Sequence, residues 1–197
     1  MIPIRSFEDA KSRLGAVLDA EERRDLVERL LRRTVAAALA TPGVTEVIVV
    51  SPDRDVLAVA EAAGARPVVQ LSRGLNPAIL EARAVARGDR LLVVPGDLPV
   101  VGPAALALVL AAGDAAGRPS VVLAPDRHGR GTNTLLLDPP DVIDPAFGGD
   151  SRVGHAWLAS SADAVYVEVP DVLGLDIDTA DDLLLAEAEA PEAIGVE

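Results

Sequence analysis

The stretch LLVVPGDLPVV at residues 91–101 decides the fold class of this chain. Its apolar run, 91–94, is followed by a Pro-Gly pair, which is typical of a short and fully buried strand. Asp97 comes next, just past the carboxyl end of that strand, where ligands bind in open α/β sheets. The alternative role for Asp97 is to cap the helix that we expect to begin near Pro103. Its position alone leaves both roles open.

Short apolar runs and amphipathic segments alternate along the rest of the chain, which predicts βαβ units. We therefore expect an α/β fold with a mostly parallel central sheet and flanking helices, as one domain over residues 1–190 with a frayed tail over 191–197. The expected strands are 1–4, 46–50, 67–71, 91–94, 120–124, an antiparallel insertion at 134–137, 164–169 and a last run at 173–177. The expected helices are 21–40, 53–63, 76–87, 103–112, 151–160 and a final one capped by Thr179, with Asp182 in the capping-box position.

The composition excludes several classes of protein. The 197 residues carry a formal net charge of −13, so no general attraction to nucleic acid is expected. Cysteine is absent, which excludes a disulfide framework and a thiolate metal site. No apolar run approaches the roughly 20 residues needed to cross a bilayer. We expect a cytoplasmic protein that binds neither nucleic acid nor membranes, and its apolar helices are compatible with a homodimer.

Three basic residues are concentrated in one loop after the first expected strand. Arg5, Lys11 and Arg13 lie within nine residues of each other, together with Ser12. A loop at this place in an α/β sheet is a phosphate-binding position, and Lys and Arg neutralise phosphate charge. The loop has neither the Walker A nor the dinucleotide glycine pattern. The alternative is a solvated charged loop.

Two acids near the carboxyl end of the chain are spaced for a shared ligand. Asp176 and Asp178 lie two residues apart in LDIDT, so in an extended segment they point to the same side. Such carboxylates repel each other unless a cation lies between them, and Mg²⁺ takes oxygen ligands of this kind. The alternative is that these acids bind no cation and instead stabilise the start of the last helix by interacting with the helix dipole. Asp181 and Asp182 fit that alternative, and Asp178 fits either.

Two glycine-containing loops are candidate anion sites. DRHGRGTN at 126–133 offers Arg127, Arg130 and Thr132, while a lone loop histidine such as His128 is more often solvated than catalytic. FGGDS at 147–151 opens a helix, and free N–H groups at a helix start bind anions. The alternative for FGGDS is a plain turn with Ser151 as the N-cap. Together, the basic loop, the acids and the two glycine-containing loops indicate magnesium-dependent phosphate chemistry.

The motifs together resemble those of one enzyme family. AKSRL (10–14), GLN (74–76), PGDLP (95–99), DRHGRGTN, FGGDS and LDIDT are similar to those of the 2-phospho-L-lactate and phosphoenolpyruvate guanylyltransferases of coenzyme F-420 biosynthesis. The motifs occur in the family's order and cover nearly the whole chain, although PGDLP alone is shared with many nucleotidyltransferases. The resemblance implies a nucleotide-diphospho-sugar transferase-like fold, with GTP and Mg²⁺ as requirements.

The resemblance also implies a role for particular residues. The metal acids correspond to Asp97, Asp176 and Asp178. The site of the phospho-acid corresponds to Thr132, Gly148 and Ser151. The loop with Arg5, Lys11, Ser12 and Arg13 would meet the triphosphate, and Asn76 would lie near the nucleotide. Lys11, Arg13 and Asp97 would act directly in catalysis.

The implied reaction moves GMP from GTP to phosphoenolpyruvate with release of pyrophosphate. A second candidate acceptor is 2-phospho-L-lactate. The chain is rich in Ala, Arg and Gly, which suggests a GC-rich bacterial genome, and this association favours phosphoenolpyruvate. A related nucleotidyltransferase that uses another acceptor is a further candidate, and a non-catalytic nucleotide-binding interaction module is a candidate of a different class.

The chain departs from the family at IPIR (2–5), where Val-Pro-Val-Lys is usual, and at Gly149-Asp150, where Pro-Gly is usual. The second departure places a carboxylate close to the expected anion site.

Overall fold

The order of strands and helices follows the alternation expected from the sequence. The computed structural model describes residues 1–7, 11–170 and 173–195. In these ranges the strands are β1 (Ile2–Pro3), β2 (Ile48–Ser51), β3 (Arg66–Val69), β4 (Leu91–Val93), β5 (Ser120–Pro125), β6 (Thr132–Asp138) and β7 (Val165–Glu168). The helices are α1 (Ala20–Leu39), α2 (Arg54–Ala62), α3 (Leu75–Val85), α4 (Pro103–Ala116), α5 (Ser151–Ser161), α6 (Ala180–Glu189) and α7 (Pro191–Ile194), with a 3₁₀ turn at Ser12–Leu14.

The strands form two sheets, in the orders β3-β2-β1 and β4-β6-β5-β7, which adjoin at β1 and β4. Strands β1, β2 and β3 pair in parallel, as do β5 and β7, whereas β6 is antiparallel to both of its neighbours. Strands β1 and β4 are joined by two hydrogen bonds, from the Met1 nitrogen to Leu92 O (2.8 Å) and from Val94 N–H to Met1 O (2.9 Å). The expected mostly parallel sheet with one antiparallel insertion is therefore confirmed.

The sheet is covered by helices on both faces, because successive residues of a strand point to opposite sides. On β6, Leu136 packs in the core cluster that contains residues of α1, α2 and α4. Its neighbours Leu135 and Leu137 pack in the cluster that contains Ile79 of α3 and Ala159 of α5. With only 2% aromatic residues in the chain, both clusters are built almost entirely from Ala, Val, Leu and Ile.

Two helices begin with capping boxes, in which side chains near the helix start accept hydrogen bonds from neighbouring backbone N–H groups. The Asp19 carboxylate accepts from Glu22 N–H at the start of α1, and the Glu22 carboxylate accepts from Asp19 N–H. The capping box expected at Thr179 and Asp182 is confirmed at the start of α6. Such boxes satisfy backbone N–H groups that a helix start leaves unpaired.

The last part of the chain differs from the prediction in two ways. The described residues of the run 173–177 form no strand, yet Leu173, Leu175 and Ile177 are buried in alternation with more accessible residues. The strand predicted over 173–177 is therefore wrong, although its side chains alternate in burial as they do in an extended segment. Where a frayed tail was expected from Pro191, the structure has α7, whose Ile194 is buried in the cluster that α1 and α6 share. No helix of the described residues combines the length and the apolar character needed to span a membrane.

Candidate active site

Lys11 and Asp97 are brought together because β1 and β4 are neighbours in the sheet. Lys11 follows β1 and Asp97 follows β4, so both lie beyond the carboxyl ends of adjacent strands. Lys11 Nζ lies 2.6 Å from Asp97 Oδ2 and 3.1 Å from Asp178 Oδ1. The Lys11 side chain is only 7% exposed, and its backbone is left-handed, with φ of 56°. This conformation is uncommon for a residue with a side chain and is typical of functional turns.

The alternative role of Asp97 as a helix cap is not what the structure shows. Helix α4 has Gly102 as its N-cap, with no side-chain capping bond, and Pro103 at its first turn. Asp97 instead directs its carboxylate to Lys11. The first motif of the sequence therefore contributes a carboxylate to a charged cluster.

Asp176 completes a cluster of three acids, which we call the acidic cluster (Asp97, Asp176 and Asp178). Burial, followed by the negative charges of Asp97 and Asp178, raises the pKa of Asp176 above its ordinary value. The charge of Lys11 and a hydrogen bond from Asn133 act in the opposite direction. Burial would lower the pKa of Lys11, but the charges and hydrogen bonds of Asp97 and Asp178 outweigh it and raise that pKa.

The donor atoms of the acidic cluster suit a hard divalent cation, which prefers carboxylate oxygens. As the cluster stands, Lys11 Nζ is the positive charge between Asp97 and Asp178. Across the described ranges, no group of three histidine, cysteine or acidic side chains is already arranged to hold a metal ion. The cluster thus offers carboxylate oxygens of the kind that a divalent cation prefers, and the Lys11 ammonium group pairs with two of its acids.

The other residues of the basic loop face solvent. Arg13 lies 3.6 Å from Asp178 Oδ2, and its side chain is 75% exposed. Ser12 and Arg5 are also exposed, while Ala10 of the AKSRL motif lies outside the described residues. Arg13 therefore borders the acidic cluster, where a phosphate chain could meet it.

Thr132 and Ser151 meet as a buried pair of hydroxyl groups, which we call the hydroxyl pair. Thr132 begins β6 and Ser151 begins α5, and Ser151 Oγ lies 3.1 Å from Thr132 Oγ1. Gly148 lies in the turn before Ser151 with φ of 147°, a conformation that favours glycine. The three residues that the resemblance assigned to the phospho-acid therefore lie close together in the structure.

The backbone at the start of α5 differs from the anion site expected there. Ser151 N–H donates to Gly148 O at 3.2 Å, and Arg152 N–H donates to Arg130 O at 3.0 Å. These two N–H groups are used within the chain. Asp150, which stands at the N-cap position, makes no side-chain capping bond and is exposed.

Asn76, expected near the nucleotide, uses its amide group elsewhere. Its Nδ2 donates to Phe147 O at 3.0 Å, and its Oδ1 accepts from Phe147 N–H at 2.8 Å. Asn76 therefore clamps the turn that precedes Gly148 and Ser151. The structure places this residue in contact with the turn of the expected acceptor site.

The loop of residues 126–131 closes mainly on itself. Asp126 N–H donates to Gly131 O, and the Asp126 carboxylate accepts from Arg130 N–H. Arg127 forms an ion pair with Asp182, and His128 is exposed, as expected for a solvated histidine. Arg127 was expected to bind an anion of the ligand, but in the structure it pairs with the carboxylate of Asp182 instead.

Two residues that the sequence reasoning missed connect the parts of the site. Asn133, which follows Thr132 on β6, donates to Leu173 O and Gly174 O at 2.9 Å and also bonds Asp176. His155 contacts Thr132 from α5. The signal for His155 was available, because it lies four residues after Ser151 and so shares its helix face.

The chain matches known proteins over almost its full length. Residues 1–187 match the model of a family described as "Guanylyl transferase CofC like". The chain is 41% identical over 189 residues to a phosphoenolpyruvate guanylyltransferase from Conexibacter woesei, covering 93% of this chain and 84% of that protein. It is 37% identical over 188 residues to a 2-phospho-L-lactate guanylyltransferase from Methanothermobacter thermautotrophicus, covering 93% of this chain and 81% of that one.

Solved structures with little sequence identity share the fold. A protein from Desulfovibrio desulfuricans described as a nucleotide-diphospho-sugar transferase matches with a TM-score of 0.75 at 17% identity, covering 98% of this chain and 95% of its own. A glucosyl-3-phosphoglycerate synthase from Mycobacterium tuberculosis, in complex with Mn²⁺ and uridine diphosphate, matches with a TM-score of 0.62 at 14% identity. That match covers 100% of this chain and 80% of the synthase. The expected nucleotide-diphospho-sugar transferase-like fold is confirmed.

Proposed function

The chain belongs to the guanylyl transferase family that its motifs resemble, and we propose that it transfers GMP from GTP to phosphoenolpyruvate. The products are pyrophosphate and enolpyruvyl-2-diphospho-5'-guanosine, a step of coenzyme F-420 biosynthesis. The observation that carries the proposal is the ion pair of Lys11 with Asp97 and Asp178 at the carboxyl ends of β1 and β4.

The chemistry requires no nucleophilic side chain. A phosphate oxygen of the acceptor forms the new bond to the α-phosphorus of GTP, the bond from that phosphorus to the β-phosphate breaks, and pyrophosphate leaves with the electron pair. The protein must hold two polyanions together, although unit charges about 4 Å apart repel by ~4 kcal/mol at an effective dielectric constant near 20. Positive charge placed where the phosphates meet is therefore the main requirement.

Lys11 and Arg13 supply fixed positive charge for the triphosphate. Lys11 is held in a nearly buried position by two carboxylates, and Arg13 extends into solvent beside it. We assign both to the pyrophosphate that leaves, with Ser12 and Arg5 along the same edge. Preorganised cations of this kind cost no reorganisation when negative charge develops on the leaving group.

Asp97, Asp176 and Asp178 would hold a divalent cation, which we take to be Mg²⁺. When bound, such an ion supplies charge neutralisation for the phosphates and orients them. Support comes from the oxygen donors of the acidic cluster and from the effect of Asp97 and Asp178 on the pKa of Asp176. The Mn²⁺ complex of the Mycobacterium tuberculosis synthase, which shares the fold, is consistent with a divalent cation.

The acceptor phosphate is assigned to Thr132, Gly148 and Ser151. The hydroxyl pair lies in the structure next to Asn133, which bonds the backbone before the acids and Asp176 itself. The acceptor site and the acidic cluster are thus connected through two consecutive residues of β6.

Phosphoenolpyruvate and 2-phospho-L-lactate differ by two hydrogens, because C2 and C3 are sp² in the first and sp³ in the second. The Conexibacter woesei relative, named for phosphoenolpyruvate, is more similar to this chain than the Methanothermobacter thermautotrophicus relative, named for 2-phospho-L-lactate. That difference favours phosphoenolpyruvate, with 2-phospho-L-lactate as the second candidate.

A nucleotide and acceptor panel tests the proposal. The protein is incubated with GTP, CTP or ATP, with MgCl₂, and with phosphoenolpyruvate, 2-phospho-L-lactate, 3-phosphoglycerate or a sugar phosphate, and pyrophosphate release is followed. We expect release only with GTP and fastest with phosphoenolpyruvate. Faster release with a sugar phosphate or with CTP would refute the proposal, and GTP binding without any release would indicate a non-catalytic module.

A further inference from the structure

His155 is a completely buried histidine directly beneath the hydroxyl pair. It lies on α5, one turn after Ser151, and is 0% exposed. Its Nδ1 lies 3.0 Å from Thr132 Oγ1, and its Nε2 lies 3.0 Å from the backbone nitrogen of Ala146. The ring thus connects the hydroxyl pair with the turn that leads to Gly148.

The Ala146 contact fixes which ring nitrogen carries the proton. A backbone N–H is only a donor, so His155 Nε2 must accept from Ala146 and must be unprotonated. In the neutral ring the proton then lies on Nδ1, which donates to Thr132 Oγ1. Burial lowers the pKa of His155 to about 4, which agrees with a ring that stays neutral near pH 7.

This tautomer decides how many hydroxyl protons remain for a ligand. The hydroxyl pair has two protons, and the hydrogen bond between Ser151 Oγ and Thr132 Oγ1 uses one of them. Since His155 donates to Thr132, its ring accepts neither of these two hydroxyl protons. Within the part of the chain that the structure describes, the two hydroxyls have no other hydrogen-bond partner. One O–H donor is therefore left over.

The opposite tautomer would remove that donor. With the proton on Nε2, His155 Nδ1 would accept from Thr132, and the second hydroxyl proton would be consumed inside the protein. An anion such as a phosphate requires donors, because it offers only acceptor oxygens. The backbone N–H of Ala146 thereby determines whether the hydroxyl pair can bind an anion.

We propose that His155 is a positioning residue for the acceptor: held in its Nδ1–H form by Ala146, it donates to Thr132 and leaves one hydroxyl proton of the Thr132–Ser151 pair for the acceptor phosphate. The inference rests on the proposed function, because it deepens the acceptor site. His155 itself does not touch the substrate. It sets the direction of a hydrogen bond that the substrate receives.

The tautomer can be observed directly by ¹⁵N NMR of the imidazole rings. The chain has two histidines, and His128→Gln removes the signals of the other one. At pH 7 we expect the nitrogen shifts and couplings of an Nδ1–H ring for His155. An Nε2–H or doubly protonated ring would overturn the inference, whatever the activity of the protein.

Two substitutions separate the donor role from packing. In His155→Asn the side-chain amide can place an N–H close to the position of Nδ1, whereas the longer side chain of His155→Gln places its amide near the position of Nε2. We expect the KM for the acceptor to rise about tenfold in His155→Gln, the scale of one lost charge-assisted hydrogen bond. In His155→Asn we expect a rise of less than about threefold on the same scale. The KM for GTP should stay within about twofold of wild type in both.

A matched control and the wild-type protein distinguish the possible failures. Trp157 lies on the same helix, 67% exposed, and Trp157→Gln should change neither KM. Equal effects of His155→Asn and His155→Gln on the acceptor KM, or larger effects on the KM for GTP, would overturn the inference while the proposed function stands. A wild-type protein that guanylylates no phospho-acid would overturn both.

Discussion

Lys11 Nζ and Asp97 Oδ2 lie 2.6 Å apart and join the loops that follow two adjacent strands. Asp178 approaches the same ammonium group at 3.1 Å. A cation of the protein thus lies between two acids that we assign to a divalent cation. We propose that Lys11 has two roles: it binds phosphate during the reaction, and it pairs with the two acids when no nucleotide is bound.

Replacing Lys11 with methionine tests this double role. Lys11→Met removes a positive charge that competes with a divalent cation, so we expect Mn²⁺ to bind about tenfold more tightly in the absence of nucleotide. Turnover should nevertheless fall by about a hundredfold or more, because the triphosphate loses a fixed cation. Electron paramagnetic resonance of free Mn²⁺ measures the binding. Arg32→Met, which removes a cation paired with Glu28 on the surface of α1, is the control and should leave Mn²⁺ binding unchanged.

Unchanged or weaker Mn²⁺ binding by Lys11→Met would contradict the assignment of the acids. The same variant should also melt at a lower temperature without metal, since its carboxylates lose their partner. Added Mg²⁺ should restore the melting temperature, because a ligand that binds only the folded state stabilises it.

Asn76→Ala distinguishes the clamp seen in the structure from the nucleotide contact expected from the sequence. The change removes both hydrogen bonds to Phe147 and releases the turn before Gly148. We expect the KM for the acceptor to rise by about tenfold, while the KM for GTP stays within about twofold. Steady-state kinetics with each substrate varied in turn decides the question. If only the KM for GTP rises in Asn76→Ala, the result would support a contact between Asn76 and the nucleotide and would contradict the clamp.

The pH dependence of stability should carry the signature of His155. Its pKa is lowered by burial from 6.5 to about 4, so between these values the unfolded chain binds a proton that the folded chain does not. The contribution of His155 to the free energy of unfolding is therefore fully present above pH 6.5 and is lost as the pH falls toward 4. The loss amounts to at most about 3 kcal/mol.

Urea unfolding of wild type and His155→Asn at pH 7 and at pH 4.5 measures this contribution. The variant has no titrating group at this position, so its stability should fall less over the same interval. Parallel pH profiles for the two proteins would show that His155 titrates in the folded state as it does in the unfolded state.

Much of the fold could be predicted because local patterns determine it. The apolar run before Asp97 and the capping box at Thr179 depend on neighbours in sequence, and both are confirmed. The run 173–177 shows the limit of such patterns, since alternation reports which side chains are buried but not whether a strand lies alongside. Its residues alternate in burial without pairing into a strand.

The site itself depends on contacts between distant parts of the chain. That Lys11 meets Asp97 follows from the adjacency of β1 and β4, which strand order decides and no local pattern shows. Asn76 reaches Phe147 across 71 positions, so its partner could not be read from the GLN motif. The spacing of Ser151 and His155, in contrast, was readable in the sequence as one helix face.

The most direct test of the account compares wild type with Asp97→Asn in the transfer reaction. Each protein is incubated with GTP, Mg²⁺ and phosphoenolpyruvate, and the guanylylated product is identified by mass and quantified beside pyrophosphate. We expect equal amounts of product and pyrophosphate from wild type, and a rate lower by about a hundredfold or more in a folded Asp97→Asn protein. Near-normal pyrophosphate release by Asp97→Asn, or release by wild type that does not require the acceptor, would contradict it.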